Sequence, residues 1–324
     1  MRRLVSVVLT VWAAAIALSV PAGASADETD NFTCRARLSS DSLAVLDSWV
    51  NARIQEALER ANRRGAARCD EACLVRELQN AVGGSVLYPP TFVPHSRFER
   101  WIGKQRQIDR CHLGFGETIY GARPYNQPWL FPFLGRIILV SDSVRLSDRI
   151  VGLDKINHFI REGLAHWRAV SGDEGDVASI LARELDPARG GLHWTEYGLK
   201  GKSLTGVLSY ADVAAGYSGY TFWSDLLSMG RDRSFVAIDA TGGRFVQARA
   251  FTFADYVTDA WDEAINVSDF HPTLGREVEA ALRTRGLAFP VRDCRALSGL
   301  PDASLYVNPI CLAPQPGAAY RPNQ

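Results

Sequence analysis

Asp154, His158, Glu162 and His166 follow one another at intervals of four residues. That spacing lines side chains along one side of a helix. An alternation of acid and imidazole is a donor set for acid–base work or for a divalent metal. Geometry narrows the second option. His158 and His166 are eight residues apart, which is about 12 Å along a helix axis, whereas zinc–ligand bonds are about 2 Å long. A single ion would therefore draw on a neighbouring pair, such as Asp154 with His158, plus ligands from another element. The stripe lacks the His-Glu-x-x-His arrangement of zinc peptidases. A structural reading fits the same residues. Asp154 suits a first helical turn through the helix dipole. His158 can be a core histidine bonded to a backbone carbonyl, and Glu162 with His166 an ordinary surface pair.

Two further segments can face this stripe. In the first, Asp212 is followed by Gly216, Gly219 and Trp223 at helical spacing. The glycines would let a second helix approach, so that Asp212 reaches His158 and orients its ring, as carboxylates do for catalytic or metal-binding histidines. Ser209 and Asp212 also match the capping box [ST]-x-x-[DE], which needs no function. In the second segment, Asp259, Asp262, Glu263 and Asn266 recur at three- and four-residue intervals. They can supply oxygen ligands or an acid–base pair, or form the solvated face of an amphipathic helix, with Trp261 in the core. The candidate catalytic set is thus His158, Asp154, Asp212 and Glu263, and the candidate metal ligands are Asp154, His158 and Glu162. The chain contains no Gly-x-Ser-x-Gly elbow, P-loop or dinucleotide fingerprint.

The elements that must position these residues read mainly as helices. Apolar spacing predicts helices over 39–63, with Ser40 as cap and Gly65 as stop, and over 70–82, 154–170, 176–185, 209–229, 253–265 and 272–286. A short helix is expected over 98–104 and a short strand over 136–140. Phe235-Val236-Ala237-Ile238 and Phe245-Val246-Gln247-Ala248 flank Gly242-Gly243, which signals a β-hairpin near 234–249. Residues 27–38 read as a loose leader, and the proline- and aromatic-rich 85–135 as an extended, wrapping segment. Two regions are expected: 27–135, helical and wrapping, and 136–312, the main helical domain. A disordered tail over 313–324 would follow.

The amino terminus sets the class. Arg2 and Arg3 precede an apolar stretch from Leu4 to Val20, and Ala24-Ser25-Ala26 supplies small residues for processing. This reads as a signal peptide over 1–26 and implies export to the periplasm or beyond. No later stretch is apolar enough to span a membrane. Removing two of the 36 basic residues leaves 34 against 36 acidic ones, with no basic run. Nucleic acid is therefore not an expected partner; an envelope component is. Only four of the basic residues are lysines. All six cysteines follow the leader, and in an exported chain an even number reads first as disulfides. Cys294 and Cys311 can pair locally, and the other four can tie the N-terminal helices to the region around Cys111. The rival is a metal site of Cys69, Cys73, Cys111 and His112.

Asp154-Lys155-Ile156-Asn157-His158-Phe159, the stretch from Ser209 to Trp223, and Tyr256 to Asn266 together resemble a group of exported bacterial proteins with no assigned activity. The resemblance covers roughly 150 to 270 and implies that the three stretches share one domain. The Asp-Lys-x-x-His-Phe portion is also similar to a motif of VanZ-like membrane proteins and some small envelope lipoproteins. VanZ-like proteins span the membrane several times, so their function is not carried over. The expected fold is mainly α, with one small hairpin and disulfides. Two functions are open: an exported protein with a structural or binding role, or a hydrolase in which a divalent metal activates water against an envelope polymer or lipid.

Overall fold

The computed structural model describes residues 27–65, 68–88, 93–121, 139–191, 193–229, 232–240, 242–288 and 290–312. The expected signal peptide over 1–26 and the tail over 313–324 lie outside these residues, as does most of the expected strand over 136–140.

The chain enters through strand β1 (Asp27–Thr29), helix α1 (Asn31–Cys34) and the long helix α2 (Leu43–Arg64). Leu46, Trp49, Val50, Ile54, Ala57, Leu58 and Ala61 form the buried stripe of α2, the three-and-four spacing that makes a helix amphipathic. Gly65 ends it at a positive φ of 76°, a conformation that costs glycine nothing. Helix α3 (Glu71–Val82) packs back on α2, capped by the Asp70 carboxylate, which accepts from Cys73 N. A ladder of β2 (Ser85–Tyr88) and β3 (Val93–Ser96) leads to helix α4 (Arg97–Ile102), which opens with a capping box of Ser96 and Glu99.

Strand β4 (Leu139–Ser141) pairs in parallel with β1, and a hairpin follows, β5 (Ser143–Leu146) with β6 (Arg149–Gly152). Next come helix α5 (Leu153–Asn157), a single π-helical turn over His158–Glu162, and helix α6 (Gly163–Ser171). Helix α7 (Val177–Glu184), short helix α8 (Lys202–Thr205) and strand β7 (Val207–Leu208) precede the central helix α9 (Tyr210–Leu227). The expected hairpin is present as β8 (Val236–Ile238) and β9 (Phe245–Gln247). Strand β10 (Asp269–Phe270) pairs antiparallel with β7, and helices α10 (Pro272–Thr284) and α11 (Pro309–Leu312) complete the described chain. The fold is mainly helical, and its sheets are two-stranded.

Helix α9 lies against the α5–α6 segment at very short range. A methyl group on Gly219 would stand 2.0 Å from the Phe159 carbonyl oxygen, and one on Gly163 would stand 2.4 Å from the Gly219 backbone. Only two glycines facing each other permit this approach. Phe159 stacks on Phe222 at 5.0 Å and also touches Phe251, Phe253, Tyr256 and Trp261. The main core joins residues of α2, α3 and α4 to those of α5, α6 and α9, so the expected regions 27–135 and 136–312 share one continuous interior.

Three expectations are corrected. Residues 27–38 are not a loose leader: Glu28, Thr29, Asp30, Asn31 and Phe32 are buried. The segment 253–265 is not a helix but two isolated 3-10 turns, Phe253–Asp255 and Asp259–Trp261. Its Asp262, Glu263 and Asn266 are buried rather than solvated, because the chain folds over its own carboxylates. The cap of α2 is Ser42, not Ser40, and Asp41 serves as the side-chain acceptor there, taking the hydrogen bond of Leu43 N.

The cysteines form three disulfides, Cys34–Cys111, Cys69–Cys73 and Cys294–Cys311. The expected local pair at the C-terminal end is present, and Cys34–Cys111 ties the first helix to the Cys111 region. A metal site of Cys69, Cys73, Cys111 and His112 is ruled out by these bonds, since no free thiolate remains to ligate. Among the described residues no helix is long and apolar enough to cross a membrane.

Candidate functional site

The acids singled out in the sequence converge on a lysine. Lys155 Nζ is fully buried and lies 2.5 Å from Asp154 Oδ2, 2.5 Å from Asp212 Oδ1 and 2.5 Å from Glu263 Oε1. Asp154 comes from the first turn of α5, Asp212 from the first turn of α9, and Glu263 from the loop after the Asp259–Trp261 turn. Hydroxyls and strand β1 close the cage. Thr29 Oγ1 donates to Asp154 Oδ1 (2.8 Å), Ser209 Oγ donates to Glu263 Oε1 (3.1 Å), and Thr205 Oγ1 donates to Glu28 Oε1 (2.7 Å). Ser209 also caps α9 by accepting from Asp212 N (3.2 Å). The capping half of that motif is therefore present, while the Asp212 carboxylate is turned to Lys155.

A second cage follows at the next turns. Lys200 Nζ, also buried, lies 2.5 Å from Glu162 Oε2, 2.8 Å from Glu184 Oε2 and 3.6 Å from Glu196 Oε1. His166 Nε2 stands 3.8 Å from Glu184 Oε1. His158 sits between the cages, with Nε2 3.5 Å from Asp212 Oδ2 and Nδ1 3.9 Å from Glu162 Oε1. The stripe is thus a largely buried row of alternating carboxylates and imidazoles on one face of the α5–α6 segment. The π turn is part of its construction. Gly163 N bonds to the His158 carbonyl five residues back, and Trp223 Nε1 donates to the Ile160 carbonyl inside the widened turn (2.8 Å). Such one-turn bulges occur often at functional sites.

Electrostatics follow from burial opposed by the two ammonium groups. Burial works against the charge on Lys155 and Lys200, yet the surrounding carboxylates outweigh it and hold both lysines protonated, well above their ordinary range. Burial raises the Glu263 carboxyl to about 7, with Lys155 pulling it down and Asp212 and Asp154 pushing it up. Burial, then Glu263 and Asp212, drive Glu28 well above the usual carboxylate range. Glu196 is raised in the same way, by burial and then by Asp212, Glu162 and Glu184. Glu184 goes the other way: burial opposes its ionisation, but Lys200 and His166 outweigh burial and bring its carboxyl down to about 2. Each cage therefore holds a protonated lysine beside at least one carboxyl raised above its ordinary range, Glu263 and Glu28 in the first and Glu196 in the second.

Whether this donor set suits a divalent metal depends on the space between its oxygens. Asp154, Asp212 and Glu263 do offer oxygens within 4.8 Å of one another. The space between those oxygens is taken by the Lys155 ammonium, and Lys200 serves Glu162, Glu184 and Glu196 in the same manner. A cation placed there would meet a fixed positive charge at contact distance. The ligand set Asp154, His158 and Glu162 is divided: Asp154 groups with Asp212 and Glu263, and His158 with Glu162 and Glu196. The residues do not fit a metal centre while both lysines are in place.

One edge of the network reaches solvent through a concavity. A cleft of about 220 Å³ is lined by Phe98, Glu99 and Ile102 of α4, Ser141 and Asp142, and Leu153, Asp154, Asn157 and His158. Most polar groups around it are engaged. Asn157 Nδ2 donates to Glu99 Oε1 (3.0 Å), and Asp142 Oδ1 lies 2.7 Å from His112 Nδ1. Asn157 Oδ1 is buried and has no hydrogen-bond partner among the described residues.

Sequence reasoning brought His158, Asp154, Asp212 and Glu263 together and missed the cations between the acids. Lys155 lies inside the Asp-Lys-x-x-His-Phe stretch, where its neighbours carry the recognisable spacing, and Lys200, Glu184, Glu196 and Glu28 lie outside every such stretch. The expected surface pair of Glu162 and His166 is instead a pair of neighbours, His166 buried and Glu162 half-buried, each turned toward Glu184 or Lys200. No protein family matches the sequence, and no curated protein or solved structure is similar to it.

Proposed function

We propose that the chain is an exported binding protein, in which the two caged lysines make a rigid floor and the cleft beside Asn157 and His158 takes up a small ligand. The observation that carries this reading is the Asn157 Oδ1, a buried acceptor without a partner at the wall of the cleft. An unpaired buried carbonyl costs about 1–3 kcal/mol, so the site gains from a ligand that donates a hydrogen bond to it. Phe98, Ile102 and Leu153 supply apolar contact, as in most small-molecule sites. The ligand is therefore compact, with one apolar face and a donor. Export is supported by the three disulfides, by the signal-like leader and by the resemblance to exported bacterial proteins.

The hydrolase reading needs a cation where Lys155 or Lys200 stands, and is the less supported of the two. The test is elemental analysis of the purified protein beside a fragment screen read by NMR. The expected result is no stoichiometric divalent metal, and fragment binding near His158 that Asn157→Leu weakens at least tenfold. One equivalent of metal that is lost in His158→Ala would overturn the proposal in favour of the hydrolase.

A further inference from the structure

On the side of α4 away from the cleft, a second concavity opens. It is a groove of about 440 Å³ between α2 and α4, lined by Ser48, Trp49, Ala52, Arg53, Arg97, Arg100, Trp101 and Lys104. Both walls follow from helical spacing. Positions 48, 49, 52 and 53 share one face of α2, and positions 97, 100, 101 and 104 share one face of α4 and the turn after it. Four of the lining side chains are cationic and none of those described is acidic.

Charge bookkeeping separates this groove from an ordinary ion-paired surface. The Glu56 carboxylate is shared by Arg53, Arg60 and Arg97, so one negative charge answers three positive ones. Arg60 leans further on Glu77, which also takes Arg64. Arg100 and Lys104 are exposed, and neither has an acidic partner among the described residues. The whole chain is balanced at 36 basic against 36 acidic residues, so the excess here is local. The groove floor is aromatic. Trp49 packs edge-on against Phe98 at 5.4 Å and lies 5.8 Å from Trp101, which fixes both indoles. Trp101 is only half-buried and offers a flat apolar platform among the cations.

We propose that this groove binds an acidic saccharide: a sugar ring resting on Trp101, with its carboxylate or phosphate held by Arg53, Arg97, Arg100 and Lys104. An indole face suits the C–H-rich face of a pyranose, and a guanidinium fork suits a carboxylate or phosphate. The volume accommodates one to two rings. The site is separate from the Asn157 cleft and does not depend on it.

The test uses the full mature chain and three probes: the tetrasaccharide of galacturonic acid, its neutral methyl ester, and inorganic phosphate. Binding is read by tryptophan fluorescence and calorimetry at low and physiological salt. The acidic tetrasaccharide is expected to bind with a fluorescence change and to weaken with salt. The ester and phosphate should each bind at least tenfold more weakly. Arg100→Ala with Lys104→Ala, two exposed positions, should cost at least tenfold with the fold intact by circular dichroism. Phosphate binding as tightly as the tetrasaccharide would overturn the sugar platform. Unchanged binding in the double variant would overturn the location, and no binding of the acidic probe at low salt would overturn the proposal as a whole.

Discussion

Lys155 carries its charge shielded from bulk solvent, and depends on the carboxylates around it. A buried ion network of this kind adds little net stability over an apolar core, but removing one partner leaves the others uncompensated, at a cost of about 3–5 kcal/mol. Lys155→Met should show this cost with a definite pH dependence. Glu263 has its pKa raised to about 7 in the folded chain, so the folded state binds that proton more tightly than the unfolded one. Its contribution to stability is complete below the unfolded value of about 4.5 and is lost as pH rises through about 7. The wild type should therefore lose stability between pH 5 and pH 8. Without the ammonium, the acids are pushed further up, so the substitution should cost more at pH 8 than at pH 5. Urea unfolding at the two pH values checks this. An equal cost at both would show that Lys155 does not govern the protonation of its cage.

At the scale of elements, the site depends on how closely α9 approaches the α5–α6 segment. That distance lets Asp212 reach both Lys155 and His158. Gly219→Ala places a methyl group 2.0 Å from the Phe159 carbonyl, so the helices must separate. Overpacking of this kind costs about 1–3 kcal/mol or more. The thermal midpoint should fall by several degrees, and the NMR signals of the His158 ring should shift even though the ring is not touched. Gly216→Ala is milder, since its methyl group meets side chains rather than backbone, the His166 ring edge at 3.0 Å and Glu162 Cβ at 3.7 Å. A Gly216→Ala effect equal to that of Gly219→Ala would contradict this ranking. The glycine spacing was legible in the sequence for this reason: a backbone that must come close leaves a mark in residue size. The π turn left no such mark, because the same residues at four-residue spacing also fit an unbroken helix.

For the whole molecule, the long amphipathic helices α2, α3 and α10 were legible because each carries its own periodic apolar stripe. What stayed hidden was set by distant parts of the chain. Glu28 and Thr29 look like a polar leader until β1 pairs with β4 and carries them inside. Asp262 and Glu263 mimic a solvated helical face because three-and-four spacing can arise in irregular chain. The missed cations did leave one trace, in composition. Of 36 basic residues only four are lysines, and two of those four sit inside carboxylate cages. A compact ammonium with three donors fits between three acids, where a planar guanidinium does not.

That scarcity also provides the most direct test of the account. Selective ¹⁵N labelling of lysine gives at most four side-chain signals. Two buried, ion-paired ammonium groups should give slowly exchanging Nζ resonances that persist at pH 8, and Lys155→Met should remove one of them. Rapid exchange of all four, as for solvent-exposed lysines, or a neutral amine at Lys155, would contradict the claim that the two cages are closed by charged lysines.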